Sequence, residues 1–267
     1  MSTTCNICSQ IMSVHDKAQI LNKYTITYYY CSNCGFLQTE KPYWLDESYS
    51  KAIARSDTGI MIRNMANATD LLFFLKYIPQ GACLDFGGGH GILTRIMRDY
   101  GFDFFHYDKY AENLFSAGFE GNLNSRYELV TSFENFEHFS SPLDEIEKLL
   151  QISDTIYFTT LLLPSPPPPI IDWWYYAPRE GQHISFFSLK TLQVIAYKYD
   201  CQLLSNNSNL HILTKKIIRT NIFSLLKRYN KIRNKLDYTR LFKKKSKTWD
   251  DMLEIVKNEN SIRSPNI

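Results

Sequence analysis

The stretch LDFGGGHGIL, Leu84–Leu93, decides how this chain folds. An acidic residue, Asp85, sits inside an apolar run. Gly87, Gly88, Gly89 and Gly91 follow, and the pattern then turns apolar again. Glycine loses more backbone freedom on folding than any other residue, so a cluster of it marks a place where only bare backbone fits. A short strand that enters a glycine turn and leaves it as a helix lets backbone amides meet a ligand directly.

Outward from that turn the chain has the rhythm of an α/β domain. Asn64–Ile78 reads as a helix stopped by Pro79 and Gly81, and Ala82–Phe86 as a strand. Ile92–Gly101 is an amphipathic helix, and Phe102–Asp108 and Arg126–Phe133 are strands. Pro142–Gln151 is a helix with proline in its first turn, Asp154–Leu163 a strand and Lys190–Asp200 a helix. Cys201–Lys216 reads as two strands joined by an Asn/Ser turn. Strands alternating with helices predict a parallel, doubly wound sheet with an antiparallel hairpin at its far edge. The proline run Pro164–Pro169 lacks backbone donors and must be extended loop.

Four of the six cysteines form two C-x-x-C pairs, Cys5 with Cys8 and Cys31 with Cys34. The strand-like YTITYYY, Tyr24–Tyr30, runs into the second pair. This spacing predicts a four-thiolate structural zinc site in a ribbon over residues 1–40. Cys83 and Cys201 lie in apolar contexts and read as inert. No apolar run is long enough to span a membrane, and MSTTCNICSQ has no secretory character, so the expected compartment is the cytoplasm.

The spacing D-x-G-G-G-x-G is one residue too tight for a dinucleotide fingerprint, and Asp108 ends the next strand about twenty residues on, where a carboxylate can hold ribose hydroxyls. Together these features resemble motif I of class I S-adenosylmethionine-dependent methyltransferases. LVTSFENFEHF (Leu129–Phe139), PPPPIIDWWYYAPREGQHISFFS (Pro166–Ser188) and the cysteine module extend the resemblance to bacterial methyltransferases of sugar and polysaccharide pathways. The resemblance implies a Rossmann-like seven-stranded α/β sheet over residues 41–215, S-adenosylmethionine as donor and a small glycosyl or other polar acceptor. Asp85, Gly87, Gly88, Gly89, Gly91 and Asp108 are the expected donor site, joined by Tyr49 and Arg63 from the segment that covers it.

Methyl transfer to a hydroxyl needs a base and walls that exclude water. His138 and His183 are the candidate bases; His138, just past a strand's carboxyl end, is expected to be the base, and His183 to orient the acceptor or close the lid. Glu134 is expected to hold His138 in one tautomer and raise its pKa, and Glu137 to orient a histidine or bind acceptor hydroxyls. Trp173, Trp174, Tyr175 and Tyr176 form either a stacking floor for a sugar or a packed lid. His15, His106 and His211 read as structural or exposed. Residues 216–267 are expected to form a basic helical segment, which either packs on the domain or touches an anionic membrane peripherally. Two other functions compete. An RNA methyltransferase is disfavoured because residues 1–40 carry only Lys17 and Lys23 as basic groups, too few to grip phosphates. A non-catalytic zinc adaptor is disfavoured by the intact glycines and Asp108.

Overall fold

Side-chain alternation along the central strands sorts the core into two layers. In the computed structural model, which describes residues 3–49, 57–218, 221–236 and 247–263, the strands are β5 (Cys83–Phe86), β6 (Phe104–Tyr107), β7 (Leu129–Phe133), β8 (Thr155–Thr159), β10 (Gln202–Ser205) and β11 (Leu210–Thr214). Cys83, Leu129, Tyr157 and Ile212 point to one face, where they meet Leu71 and Phe74 of α2 (Ile60–Phe74) and Leu93 and Met97 of α3 (Ile92–Asp99). Their neighbours Leu84, Val130, Ile156 and Leu213 point to the other. There they meet Ile146 and Leu149 of α4 (Pro142–Ile152) and Leu192 and Ile195 of α5 (Leu189–Lys198). A period of two on strands against helices on both faces yields this three-layer sandwich.

The strand order is β10-β11-β8-β7-β5-β6. β6, β5, β7 and β8 are parallel, and the hairpin β10–β11 joins antiparallel to β8. The chain starts at β5, moves outward to β6, then returns to β7 on the other side. The carboxyl ends of β5 and β7 therefore flank a topological switch point, where α/β sheets bind ligands.

The expected seventh strand is reduced to a single parallel bridge between His106 and Glu120 beyond β6. Residues 109–126 are rich in Asn, Gly and Ser and contain no alternating run of β-formers, so they wind as turns instead of extending the sheet.

The N-terminal residues form a second sheet, β1 (Thr3–Thr4), β2 (Ile11–Ile20), β3 (Tyr24–Tyr30) and β4 (Leu37–Thr39). Its last member is β9 (Ser185–Phe186), contributed from far along the chain and paired antiparallel to β4. The ribbon and the main sheet thus share a seam. α1 (Leu45–Ser48) follows, and the buried Trp44 ties it to the Gly181 carbonyl through its indole N–H at 2.8 Å.

The C-terminal helix α6 (Ile222–Leu236) buries Ile222 and Leu226 with the α2 side chains, and Asn230 donates to Asp70 at 2.9 Å. Part of its apolar face thus packs on the domain, while Leu225 and Ile232 are exposed. α7 (Thr248–Arg263) follows, and the basic residues of 237–246 lie outside the described residues. No helix among the described residues is long and apolar enough to cross a membrane.

Candidate functional site

Gly87, Gly89 and Gly91 all have positive φ, +72°, +56° and +84°, a region in which a side chain collides with its own carbonyl. The turn is anchored by Gly87 and Gly88 N–H groups donating to the Tyr107 carbonyl at 2.8 and 3.2 Å. A Cβ at Gly87 would lie 2.5 Å from the Asn135 amide, and one at Gly91 2.5 Å from both Asn113 Oδ1 and Ser116 Oγ. The bare backbone is required by these close approaches as well as by the torsions.

Asp85 supports this turn from below. Its carboxylate is buried and accepts from Thr131 Oγ1 at 2.9 Å and Thr94 Oγ1 at 3.4 Å. Burial pushes its pKa up to about 6, against the opposing pull of Thr131, His106 and Thr94. His106, paired across the strands with Asp85, hydrogen-bonds the Gly89 carbonyl through Nε2 at 2.8 Å. Thr94, Thr131 and His106 were not among the residues singled out by spacing; all three are ordinary strand or helix residues until the fold stacks them under the glycines.

Asp85 gives a pH prediction. Its folded pKa lies above that of an unfolded aspartate, near 3.9, so the folded state binds more protons and stability falls as pH rises from about 4 to about 6. The wild type minus Asp85→Asn difference in unfolding free energy should change across that window by up to about 3 kcal/mol and be flat above it. Denaturant titrations at pH 4.5 and 7 measure it.

Asp108 follows β6 at the rim of the turn. Its Oδ2 accepts from Gly89 N–H at 2.9 Å, and its Oδ1 from Tyr110 and Ala111 N–H at 2.7 and 2.8 Å. A cavity of about 360 Å³ opens beside it, lined in part by Glu112, Asn113 and Glu120. The ring of Tyr110 stacks on Tyr49 at 4.3 Å between centroids. Tyr49 also hydrogen-bonds His138 Nδ1 through its hydroxyl at 3.0 Å, so it bridges Tyr110, beside the glycine turn, and the histidines. Arg63, expected to meet a carboxylate, closes its guanidinium fork on Asp57 at 2.6 and 2.7 Å.

The loop after β7 carries the second half of the site. Glu137 is fully buried, and neither carboxylate oxygen has a hydrogen-bond partner at proper geometry, although the Tyr175 and Thr160 hydroxyls face it. Burial pushes its pKa up to about 7. Burial, with the charge of Glu137, does the same to Glu134. The rings of His138 and His183 stand edge to face, 4.9 Å apart. His183 Nδ1 bonds the Tyr175 carbonyl at 2.6 Å, which fixes the tautomer with Nδ1 protonated and Nε2 bearing the lone pair. Burial drives its pKa down, leaving the imidazole neutral.

The expected pairing of Glu134 with His138 does not form. Glu134 sits at φ +50° and turns toward Thr159, whose hydroxyl donates to its Oε1 at 2.7 Å. His138 takes Tyr49 as partner instead. Its pKa falls to about 3 through burial and the neighbouring His183, against the Gln182 and Glu134 carbonyls, so the expected rise is replaced by a drop. The aromatic run also divides. Tyr175 and Tyr176 are core residues, Trp173 is half-buried and Trp174 is 73% exposed, so there is no four-ring floor. His15, His106 and His211 each bond a backbone carbonyl and are structural.

The four ribbon cysteines lie together without a disulfide between them, and all four sulfurs are within 4.8 Å of one another. Cys5 and Cys34 sulfurs are 3.5 Å apart, and those of Cys8 and Cys31 3.4 Å. Tetrahedral zinc with bonds near 2.3 Å holds sulfurs roughly 3.8 Å apart, so the cluster is compatible with a small zinc module. The second knuckle is fastened to α5. Thr191 and Ser188, which form that helix's capping box, both donate to the Cys34 carbonyl, at 3.0 and 3.4 Å.

The methyltransferase domain family matches residues 60–206, more than half of the chain and inclusive of both loops. No curated protein matches. Among solved structures, magnesium protoporphyrin IX methyltransferase from Synechocystis with bound S-adenosylhomocysteine is 11% identical, with a TM-score of 0.43 over 63% of this chain and 90% of its own. An O-methyltransferase family 2 protein from Planctomyces limnophilus, in complex with apigenin, is 13% identical (TM-score 0.43; 64% and 65% covered). A chain from the complex of the Haloferax volcanii Trm112 methyltransferase activator with a methyltransferase is 13% identical (TM-score 0.48; 64% and 98% covered).

Proposed function

The chain belongs to the methyltransferase domain family and is an S-adenosylmethionine-dependent methyltransferase; from that premise we propose that it methylates a hydroxyl of a sugar or nucleotide-sugar, with a structural zinc ion on Cys5, Cys8, Cys31 and Cys34. The observation that carries the reading is the contact between the two loops. Asn135 packs so tightly on Gly87 that a Cβ there would clash, which sets the β5 glycine turn against the β7 loop bearing Glu137 and His138.

When bound, S-adenosylmethionine supplies a methyl carbon already activated by its sulfonium, so the protein's task is positioning and activation of the acceptor oxygen. The residues fit that donor. Asp108 stands at the end of β6 with its carboxylate toward the turn, suited to ribose hydroxyls, and the glycines leave room for close backbone approach. The neutral histidines His138 and His183, 4.9 Å apart on the loops beside that turn, are the groups suited to activating the acceptor oxygen. Trp174, exposed beside Tyr175, whose ring lies 4.8 Å from His183, offers a flat surface for a sugar ring. A panel of nucleotide-sugars and glycans with S-adenosylmethionine, read as S-adenosylhomocysteine release, tests the acceptor. A silent panel alongside methylation of RNA or protein would contradict it.

The ribbon places His183. β4 holds β9 by strand pairing, and β9 begins two residues after that histidine. Ile184 N–H donates to the Glu137 carbonyl at 2.9 Å and Ser185 Oγ to the Phe139 carbonyl at 2.7 Å, tying β9 to the β7 loop. Cys31→Ser is therefore expected to lower stability by about 3 kcal/mol or more, because metal binding in such modules is folding free energy. Donor affinity should change less. Thermal melts with zinc analysis and donor titration check both halves.

A further inference from the structure

Among the described residues Glu137 stands out, because its carboxylate is fully buried and neither oxygen has a hydrogen-bond partner at proper geometry. A carboxylate with no exposure and no hydrogen-bond partner is costly to bury. Two imidazoles lie beside it: ligand atoms of Glu137, His138 and His183 all fall within 4.8 Å of one another. A divalent ion with bonds near 2.1 Å holds its ligands within about 4 Å of each other, so the three atoms are close to coordinating separation.

The histidines are prepared in the manner of metal ligands. Each has its Nδ1 engaged, His183 by the Tyr175 carbonyl at 2.6 Å and His138 by the Tyr49 hydroxyl at 3.0 Å. The carbonyl contact fixes the His183 ring with its Nε2 lone pair available to an ion, and the hydroxyl contact orients the His138 ring. Glu134 adds a second buried carboxylate within electrostatic reach of Glu137 and His183. Arg63 also reaches the carboxylates electrostatically, but its fork is closed on Asp57.

We infer that Glu137, His138 and His183 bind a divalent cation of the Mn²⁺ class, distinct from the ion of the four cysteines, with open positions for acceptor oxygens. Two imidazoles and a carboxylate suit manganese, iron or zinc better than calcium. The cation site stands independently of the acceptor's identity; its use in turnover rests on the methyl-transfer reading.

The test uses full-length, zinc-replete protein and Mn²⁺ as probe, followed by electron paramagnetic resonance. The expected result is one Mn²⁺ per chain beyond the cysteine-bound zinc, a rise in melting temperature on adding it, and affinity at least tenfold weaker in Glu137→Gln and His183→Gln. Glu120→Gln, a carboxylate in the cavity beside Asp108, should bind Mn²⁺ as the wild type does. Absence of stoichiometric Mn²⁺ binding in the folded wild type overturns the inference even if a variant fails to fold. So does undiminished binding in both variants. Mn²⁺ bound without any methyl transfer would uphold the site and remove the functional reading. Full turnover by protein retaining only its cysteine-bound zinc would uphold methyl transfer and overturn the cation's use in turnover.

Discussion

Gly89→Val leaves a folded protein that no longer binds S-adenosylmethionine. The residue sits at φ +56°, a conformation that costs an ordinary L-residue roughly 1–2 kcal/mol and a β-branched one more. The substitution forces the turn to reshape at the residue whose N–H donates to Asp108 and whose carbonyl bonds His106. The turn thereby loses its two bonds to the end of β6. The surrounding core, Leu84, Val130 and Leu93 among it, is untouched, so melting should shift by only a few degrees. Asp108→Ala is the graded companion. It removes a charged acceptor while leaving the glycines in place, and should weaken donor binding by about 1.5–3 kcal/mol. Calorimetric titration of both variants checks the pair; unchanged donor affinity in both would reduce the turn to a packing device.

His183→Ala and His138→Ala each lower kcat by about 10²-fold or more, the scale for losing a group that activates the acceptor. Donor affinity should stay within a few-fold, because neither ring touches the glycine turn. The two variants should differ in a second readout. His183 is fixed on the Tyr175 carbonyl beside the exposed Trp174, so its loss should also raise the acceptor KM. His138 is held by Tyr49, so Tyr49→Phe should reproduce part of its kcat defect by freeing the ring. Steady-state kinetics with a competent acceptor separates these effects. Full turnover in both histidine variants would mean that the acceptor needs no activation, as a nucleophilic nitrogen or sulfur does not.

The parallel strands and their helices were legible because alternating apolar residues and glycine stops are local signals. Leu84 and Cys83 face opposite layers as their alternation requires. The cysteine cluster was legible for the same reason, since two short spacings encode it. What was not legible depends on long-range pairing. The β9 strand is two residues long and exists only because β4 offers it an edge. The lost seventh strand is a negative signal, spread over residues 109–126 as a shortage of β-formers. At the site, spacing placed Glu134 one turn from His138, as on a helix. The backbone there instead enters the left-handed region at Glu134 and continues as a single tight turn over Phe136–His138, which swings the carboxylate toward Thr159. Tyr49, expected from sequence to contact the donor, stacks on Tyr110 and bonds His138, residues from two different strand ends that no local signal brings together.

Titration of the zinc-replete, full-length protein with S-adenosylmethionine in a calorimeter tests the central claim most directly, that the glycine turn and Asp108 form a donor site. The expected isotherm is one donor per chain, lost in Gly89→Val and weakened in Asp108→Ala. A folded wild-type protein that binds neither S-adenosylmethionine nor S-adenosylhomocysteine would contradict it.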